Sequence, residues 1–253
     1  MTTTTKMYKD VEMNSHQQKY VEYNTEFEYH PFQNKQIRNG FVRKVYSLLT
    51  VQLFTTFAFG IMFMFYKPAA EFIRTEAGNA LVWVSMLGTF ATVFGLACWI
   101  DIARKFPHNY IILCLFTLCN SYMVGFITCQ YNTRVVALAA GSTMLITTSL
   151  TAFACQTRYD FTAMGGAFLS LLVVLLFIGI MSMFFTVLTS IYAGMSAFVF
   201  SLYILYDTQL IIGGKHQKYQ YGVDDYVFAT LSIYLDIMNV FLASLQLLNN
   251  TNS

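Results

Sequence analysis

Residues Ala163 to Val187 read AMGGAFLSLLVVLLFIGIMSMFFTV, a run without one charged side chain. About 20 consecutive apolar residues suffice for an α-helix to cross the ~30 Å hydrocarbon core of a bilayer. No soluble helix needs apolar side chains on every face, so this segment decides the class of fold: the chain enters lipid.

The rest of the sequence agrees. Of 253 residues, 56% are hydrophobic and 11% charged, where an average soluble domain carries roughly 25% charged residues. Apolar windows run over Val45 to Tyr66, Ala80 to Ile100, Tyr110 to Gln130, Val135 to Phe153, Ala163 to Val187, Ile191 to Ile212 and Tyr226 to Leu248. Lys67-Pro68, Lys105-Phe106-Pro107, Gln156 to Asp160 and Gly213-Gly214 interrupt them. Backbone groups find no water at that depth, so each window is expected to be helical. The expected fold is all-α and integral to the membrane, with seven transmembrane helices. The last window carries Ser232, Asp236, Asn239, Ser244 and Gln246, too polar to face lipid all round. It is placed at the centre, inside a bundle of the other six.

Residues 1–40 hold few aliphatic side chains and are expected to form a disordered tail ahead of a transmembrane domain over residues 41–250. Tyr8 to Val11 and Tyr29 to Phe32 have the Tyr-x-x-apolar form of sorting signals. Met1 to Thr5 are polar with no apolar core behind them, so the first membrane helix is expected to direct insertion. With the tail in the cytosol, that side receives Lys35, Arg38, Arg43, Lys44, Arg104, Lys105, Arg158, Lys215 and Lys218, and the other side Lys67, Arg74 and Arg134. This asymmetry obeys the positive-inside rule. It puts the C-terminus outside the cytosol, with the Asn249-Asn250-Thr251 sequon too close to the bilayer for glycosylation.

Composition removes several functions. A net charge of +2 without a dense Lys/Arg run gives no footprint for nucleic acid. Cys98, Cys114, Cys119, Cys129 and Cys155 lack metal-ligand spacing and are read as buried free thiols. Gly165, Gly166, Gly179 and Gly194 are read as points of close helix packing. No cofactor is expected.

Two acids stand out. Asp207, in Ser201-Leu-Tyr-Ile-Leu-Tyr-Asp207, and Asp236, in Ser232-Ile-Tyr-Leu-Asp236-Ile-Met-Asn239, lie inside apolar windows. A charge at the bilayer centre costs about 2.5–3.5 kcal/mol on the insertion scale, so each needs a reason. Their helices are consecutive and antiparallel. At 1.5 Å per residue the two lie roughly 9 and 15 Å below the cytosolic helix ends, close enough to meet. A pair meeting in a dry site would hold one proton between its carboxyls, which makes it a proton-sensitive switch or a cation site. Ser232, Asp236 and Asn239 share one helix face and offer oxygen ligands of the kind Ca²⁺ takes. The plainer alternative is two neutral acids hydrogen-bonded for packing alone. Asp160, Asp224 and Asp225, just ahead of apolar runs, are read as helix N-caps.

These segments, with Phe41-Val-Arg-Lys-Val-Tyr-Ser and Gln156-Thr-Arg-Tyr-Asp-Phe-Thr162, resemble the transmembrane Bax-inhibitor-motif family, Lifeguard branch, over roughly residues 40–250. The resemblance implies a seven-helix bundle around the last helix, a Ca²⁺ leak from internal stores or across another membrane, and negative regulation of apoptosis. Asp207 and Asp236 would be its pH sensor and would meet Ca²⁺ only in transit. An arginine of the second helix can latch such a pair in that family. The matching stretch Cys98 to Lys105 makes Arg104 the nearest candidate, with Asp101 intruding. Implied partners are the lipid bilayer, Ca²⁺ and membrane proteins of cell death or Ca²⁺ signalling. The implied location is the Golgi, the endoplasmic reticulum or another endomembrane, with the plasma membrane as an alternative.

Four other readings compete. An intramembrane aspartyl protease also uses two helix-borne acids, but its Gly-x-Gly-Asp and Pro-Ala-Leu motifs are missing, so no enzyme is expected. A seven-helix receptor would need its N-terminus outside, and a retinal protein a lysine in the last helix. The remaining alternative is a scaffold that suppresses cell death by binding membrane proteins, without transport.

Overall fold

The structure, a computed structural model, describes residues 35–98, 104–213 and 218–251. Among the described residues, seven helices are long and apolar enough to cross a membrane. They are α1 (Lys35–Phe65), α2 (Glu76–Cys98), α3 (His108–Thr128), α4 (Thr133–Gln156), α5 (Gly165–Ser182), α6 (Thr186–Ile212) and α7 (Tyr226–Thr251). Among the described residues there is no strand. Both sorting-signal strings, Asp101 and Lys215 lie outside the described residues.

The distribution of apolarity is the inverse of a soluble fold. The span containing α5 is the most apolar of the seven, yet 11% of its window is buried; α7, among the less apolar, is 72% buried. Phe54, Trp83, Phe90, Leu145 and Phe177 are each more than half exposed. With hydrocarbon as the solvent, the polar side chains are the ones that must be covered. Hence α7 sits at the centre, packed against α1, α3, α4 and α6, while α2 lies on α3 and α5 on α6. Val227, Ile233, Tyr234, Ile237 and Val240 of α7 meet Phe41, Val45 and Leu49 of α1 and Phe116 of α3 in the main core.

Helix ends depart from the apolar windows in two instructive places. α1 begins at Lys35, so residues 35–40, assigned from composition to the tail, are helical; polar turns ahead of a span leave no mark in hydropathy. The break between α5 and α6 falls at 183–185, not at 188–190, because Met183-Phe184-Phe185 is itself apolar. Those three side chains are well exposed, at a helix end where aromatic residues favour the interface.

All five cysteines are free, but Cys98, Cys114 and Cys155 are exposed rather than buried. Gly165 and Gly179 are close-packing points. A Cβ there would meet the Tyr206 hydroxyl at 2.9 Å and the Tyr192 ring at 3.0 Å, whereas Gly166 and Gly194 face open space. The α4–α5 and α6–α7 loops lie on the side of the bundle from which α1 starts, hereafter the tail face.

Candidate functional site

Asp207 lies in the last turns of α6 and Asp236 in the middle of α7, and both are buried, each 5% exposed. Their carboxyls come within hydrogen-bonding reach of one another. Asp236 Oδ2 is fully buried and takes a hydrogen bond from no other group. A carboxylate left so would forfeit its hydration without return. A proton held between the two carboxyls would supply the missing bond.

The surroundings are aromatic and hydroxylic. Tyr203 and Tyr206 of α6 lie beside the pair, as does Tyr221 of the α6–α7 loop. Tyr221 donates a 3.4 Å hydrogen bond to Ser232 Oγ, its backbone N–H reaches the carbonyl of Leu210 at 3.3 Å, and its ring stacks edge-on against Phe228. The loop thus folds back over the tail-face end of the pair. The Tyr221 hydroxyl is held well above its ordinary range, first by burial and then by the charge of Asp207, so it stays a donor.

Of the stripe on α7, Ser232 is bonded to Tyr221, and Asn239 turns its amide to the carbonyl of Leu235 on its own helix at 2.8 Å. Neither extends the pair into a metal cage. Among the described residues no three His, Cys, Asp or Glu are placed to hold a metal ion, and Ca²⁺ takes roughly six to eight oxygens in a resident site.

Arg104 takes a different partner from the one the resemblance implied. Its Nε donates to Asp225 Oδ1 at 2.7 Å, which ties the start of α7 to the chain leading into α3. Asp225 stands at the α7 N-cap, since its carbonyl accepts from Ala229 N. Its carboxylate, however, is turned to Arg104 and to the N–H of Gly222. Asp160 caps no long helix. It accepts from Thr162 N at 2.9 Å and from Lys218 N at 2.9 Å, joining the two tail-face loops.

The sequence reading missed Gln209. Two residues beyond Asp207 and fully buried, it accepts from Phe161 N and donates to the carbonyl of Tyr159, both at 2.8 Å. Gly213 follows at φ 57°, and a Cβ there would meet Gln220 Oε1 at 2.6 Å; only glycine takes both the left-handed backbone and the close approach. On the other side of α7, Tyr234 was also missed. Its hydroxyl bonds Thr56 at 2.7 Å and accepts from Asn120 Nδ2 at 3.0 Å, and Thr56 in turn bonds Ser121 at 2.9 Å. The signal was available: a buried tyrosine two residues from Asp236 points across the helix from it and needs a partner.

The family model described as "Inhibitor of apoptosis-promoting Bax1" matches residues 38–253. Human Protein lifeguard 3 is 37% identical over 225 residues, covering 87% of this chain and 71% of its own. Mouse Protein lifeguard 3 is 33% identical over 223 residues, 86% of this chain and 71% of its own. Protein LIFEGUARD 4 of Arabidopsis thaliana is 33% identical over 222 residues, 85% and 86% of the two chains.

Proposed function

Because the chain belongs to the Bax-inhibitor family, in its Lifeguard branch, we propose that this membrane regulator of apoptosis acts as a pH-sensitive Ca²⁺ leak of an endomembrane. Its tail faces the cytosol, and Asp207 with Asp236 forms the gate. The observation that carries this reading is the meeting of the two carboxyls in a buried site, with Asp236 Oδ2 unpartnered.

With a proton between them, the acids hold α6 to α7. Without it they are like charges in contact. At about 4 Å and an effective dielectric near 20 the repulsion is on the order of 4 kcal/mol, close to a thousandfold in an equilibrium constant. That is enough to bias two packed helices between closed and parted states. The groups facing the pair are Tyr203 and Tyr206 of α6, Tyr221 of the loop and Ser232 of α7. None is a cation, so nothing among them offsets the second charge. Rising pH therefore favours the parted state, in which two carboxylates face a passing divalent ion.

Ca²⁺ flux through the purified chain in proteoliposomes, followed across a pH series, tests this. Flux is expected to rise with pH in the wild type and to lose that dependence in Asp236→Asn. An unchanged pH profile in the variant removes the gate. Absence of flux at every pH, with death suppression retained in cells, makes a non-transporting scaffold the function.

A further inference from the structure

A cavity of about 650 Å³ opens between α1 and α4, both of which pack on α7. Ile237 and Phe241 of α7 line it from behind. Small residues, Gly60 of α1 with Ala137 and Ala140 of α4, leave the two helices apart there. Phe57, Phe65 and Met144 belong to the same lining and are well exposed, so the space is continuous with the surroundings of the bundle. Thr128, Thr143 and Thr148 spend their hydroxyls on carbonyls of their own helices. The lining is therefore almost wholly apolar.

The dimensions select the occupant. On α1 the lining runs from Leu53 to Phe65, roughly 18 Å at 1.5 Å per residue. Half of the hydrocarbon core is ~15 Å, so the cavity spans the leaflet opposite the tail face and stops near the midplane. Its mean cross-section is on the order of 36 Å², less than half of the ~80 Å² that a helix with its side chains takes up. A partner helix does not fit. Acyl chains are the solvent at this depth, and an empty gap would strip the lining of dispersion contacts.

The outer rim carries two cations. Phe65 and Thr133 end the cavity on the side away from the tail face. Lys67 lies two positions beyond the first and Arg134 one beyond the second. Both are exposed, and among the described residues neither joins an ion pair, although Glu71 and Glu76 belong to the same α1–α2 connection as Lys67. An ammonium and a guanidinium flanking one opening at headgroup depth suit a phosphodiester, which Arg takes through its fork and Lys as a point charge.

We propose that this cavity is a lipid site. The acyl chains of one anionic phospholipid from the leaflet opposite the tail face fill the space between α1 and α4, and Lys67 and Arg134 hold its phosphate. The phosphate offsets one of the two cations, and the other repels a choline brought to the same rim, so phosphatidylglycerol is favoured over phosphatidylcholine. The bound chains lie against Ile237, the residue after Asp236. The site rests on no assumption about transport.

Photo-crosslinking tests it. The purified full chain is embedded in phosphatidylcholine nanodiscs doped with phosphatidylglycerol that carries a diazirine midway along one chain, and adducts are mapped by mass spectrometry. Adducts are expected to concentrate on residues 53–65 of α1 and 133–148 of α4, with α5 at background. Adducts spread over α2 and α5 in proportion to their exposure show a lipid annulus only and overturn the proposal. Ala137→Trp fills the space and is expected to remove the excess, whereas Val173→Trp, half exposed on α5, leaves it. An excess that survives Ala137→Trp also overturns the proposal, and if that variant does not fold, the wild-type map decides alone. In native mass spectrometry phosphatidylglycerol is expected to be retained at least about fivefold over phosphatidylcholine, a preference lost when Lys67→Gln and Arg134→Gln are combined. Equal retention in the wild type, or a preference that persists in the double variant, overturns the role of the two cations.

Discussion

Gln209 Oε1 accepts a 2.8 Å hydrogen bond from the backbone N–H of Phe161, so a side chain two residues from Asp207 holds the loop that leaves α4. The same amide donates to the carbonyl of Tyr159. Gln209→Leu keeps the volume but leaves an amide and a carbonyl unpaired, at about 1–3 kcal/mol each if they stay buried. The expected outcome is a lower Tm and faster tryptic cleavage after Arg158, read by limited proteolysis.

Asp160 gives the junction of the two tail-face loops a pH dependence. Desolvation raises its carboxyl, but hydrogen bonds from the Thr162 hydroxyl and from the N–H groups of Lys218, Thr162 and Ala163 outweigh it and hold the group below its ordinary value. A value lowered on folding contributes stability that is complete above the unfolded value, near ~3.9, and is lost as pH falls through the folded one. Asp160→Asn should therefore melt below wild type at pH 7, and the gap should shrink towards pH 3. A gap that stays constant over that range assigns the difference to something other than the carboxylate.

The two acids should not behave independently. Asp207→Asn and Asp236→Asn, alone and together, form a double-mutant cycle, and residues in one buried network couple by about 0.5–3 kcal/mol. Additive changes in unfolding free energy would show that the carboxyls do not touch.

Tyr234→Phe removes only an oxygen, yet that oxygen joins Thr56 of α1 and Asn120 of α3 to the central helix. Two buried partners lose a bond, so a loss of about 1–3 kcal/mol is expected. The readout is thermal unfolding of the purified protein, with Ca²⁺ flux of the refolded fraction as a control for the site itself.

How much of this was legible in the sequence follows from which forces act over a single helix. Seven spans, the central place of α7 and the depth match of Asp207 with Asp236 follow from lipid as solvent, a constraint that each window of residues feels by itself. The apolar turn Met183-Phe184-Phe185 was misplaced because it satisfies the same constraint as the helices beside it. Partners across the bundle were less visible. The resemblance gave Arg104 the buried pair as its partner, and its bond to Asp225 depends on how the chain leading into α3 is docked against the start of α7. Gln209 looked like one more polar residue near a helix end, since its role is set by the Tyr159–Phe161 backbone some fifty positions away.

Tyrosines of α6 are seated at both ends of α5, Tyr206 over Gly165 and Tyr192 over Gly179. Two such pins, well separated along the axis, leave the pair little freedom to slide or roll separately. α5 is thus an external handle on the helix that carries Asp207. A probe placed on its lipid-facing side, at Leu169 or Phe177, would register tilting of α6 without any alteration to the acids or the loops.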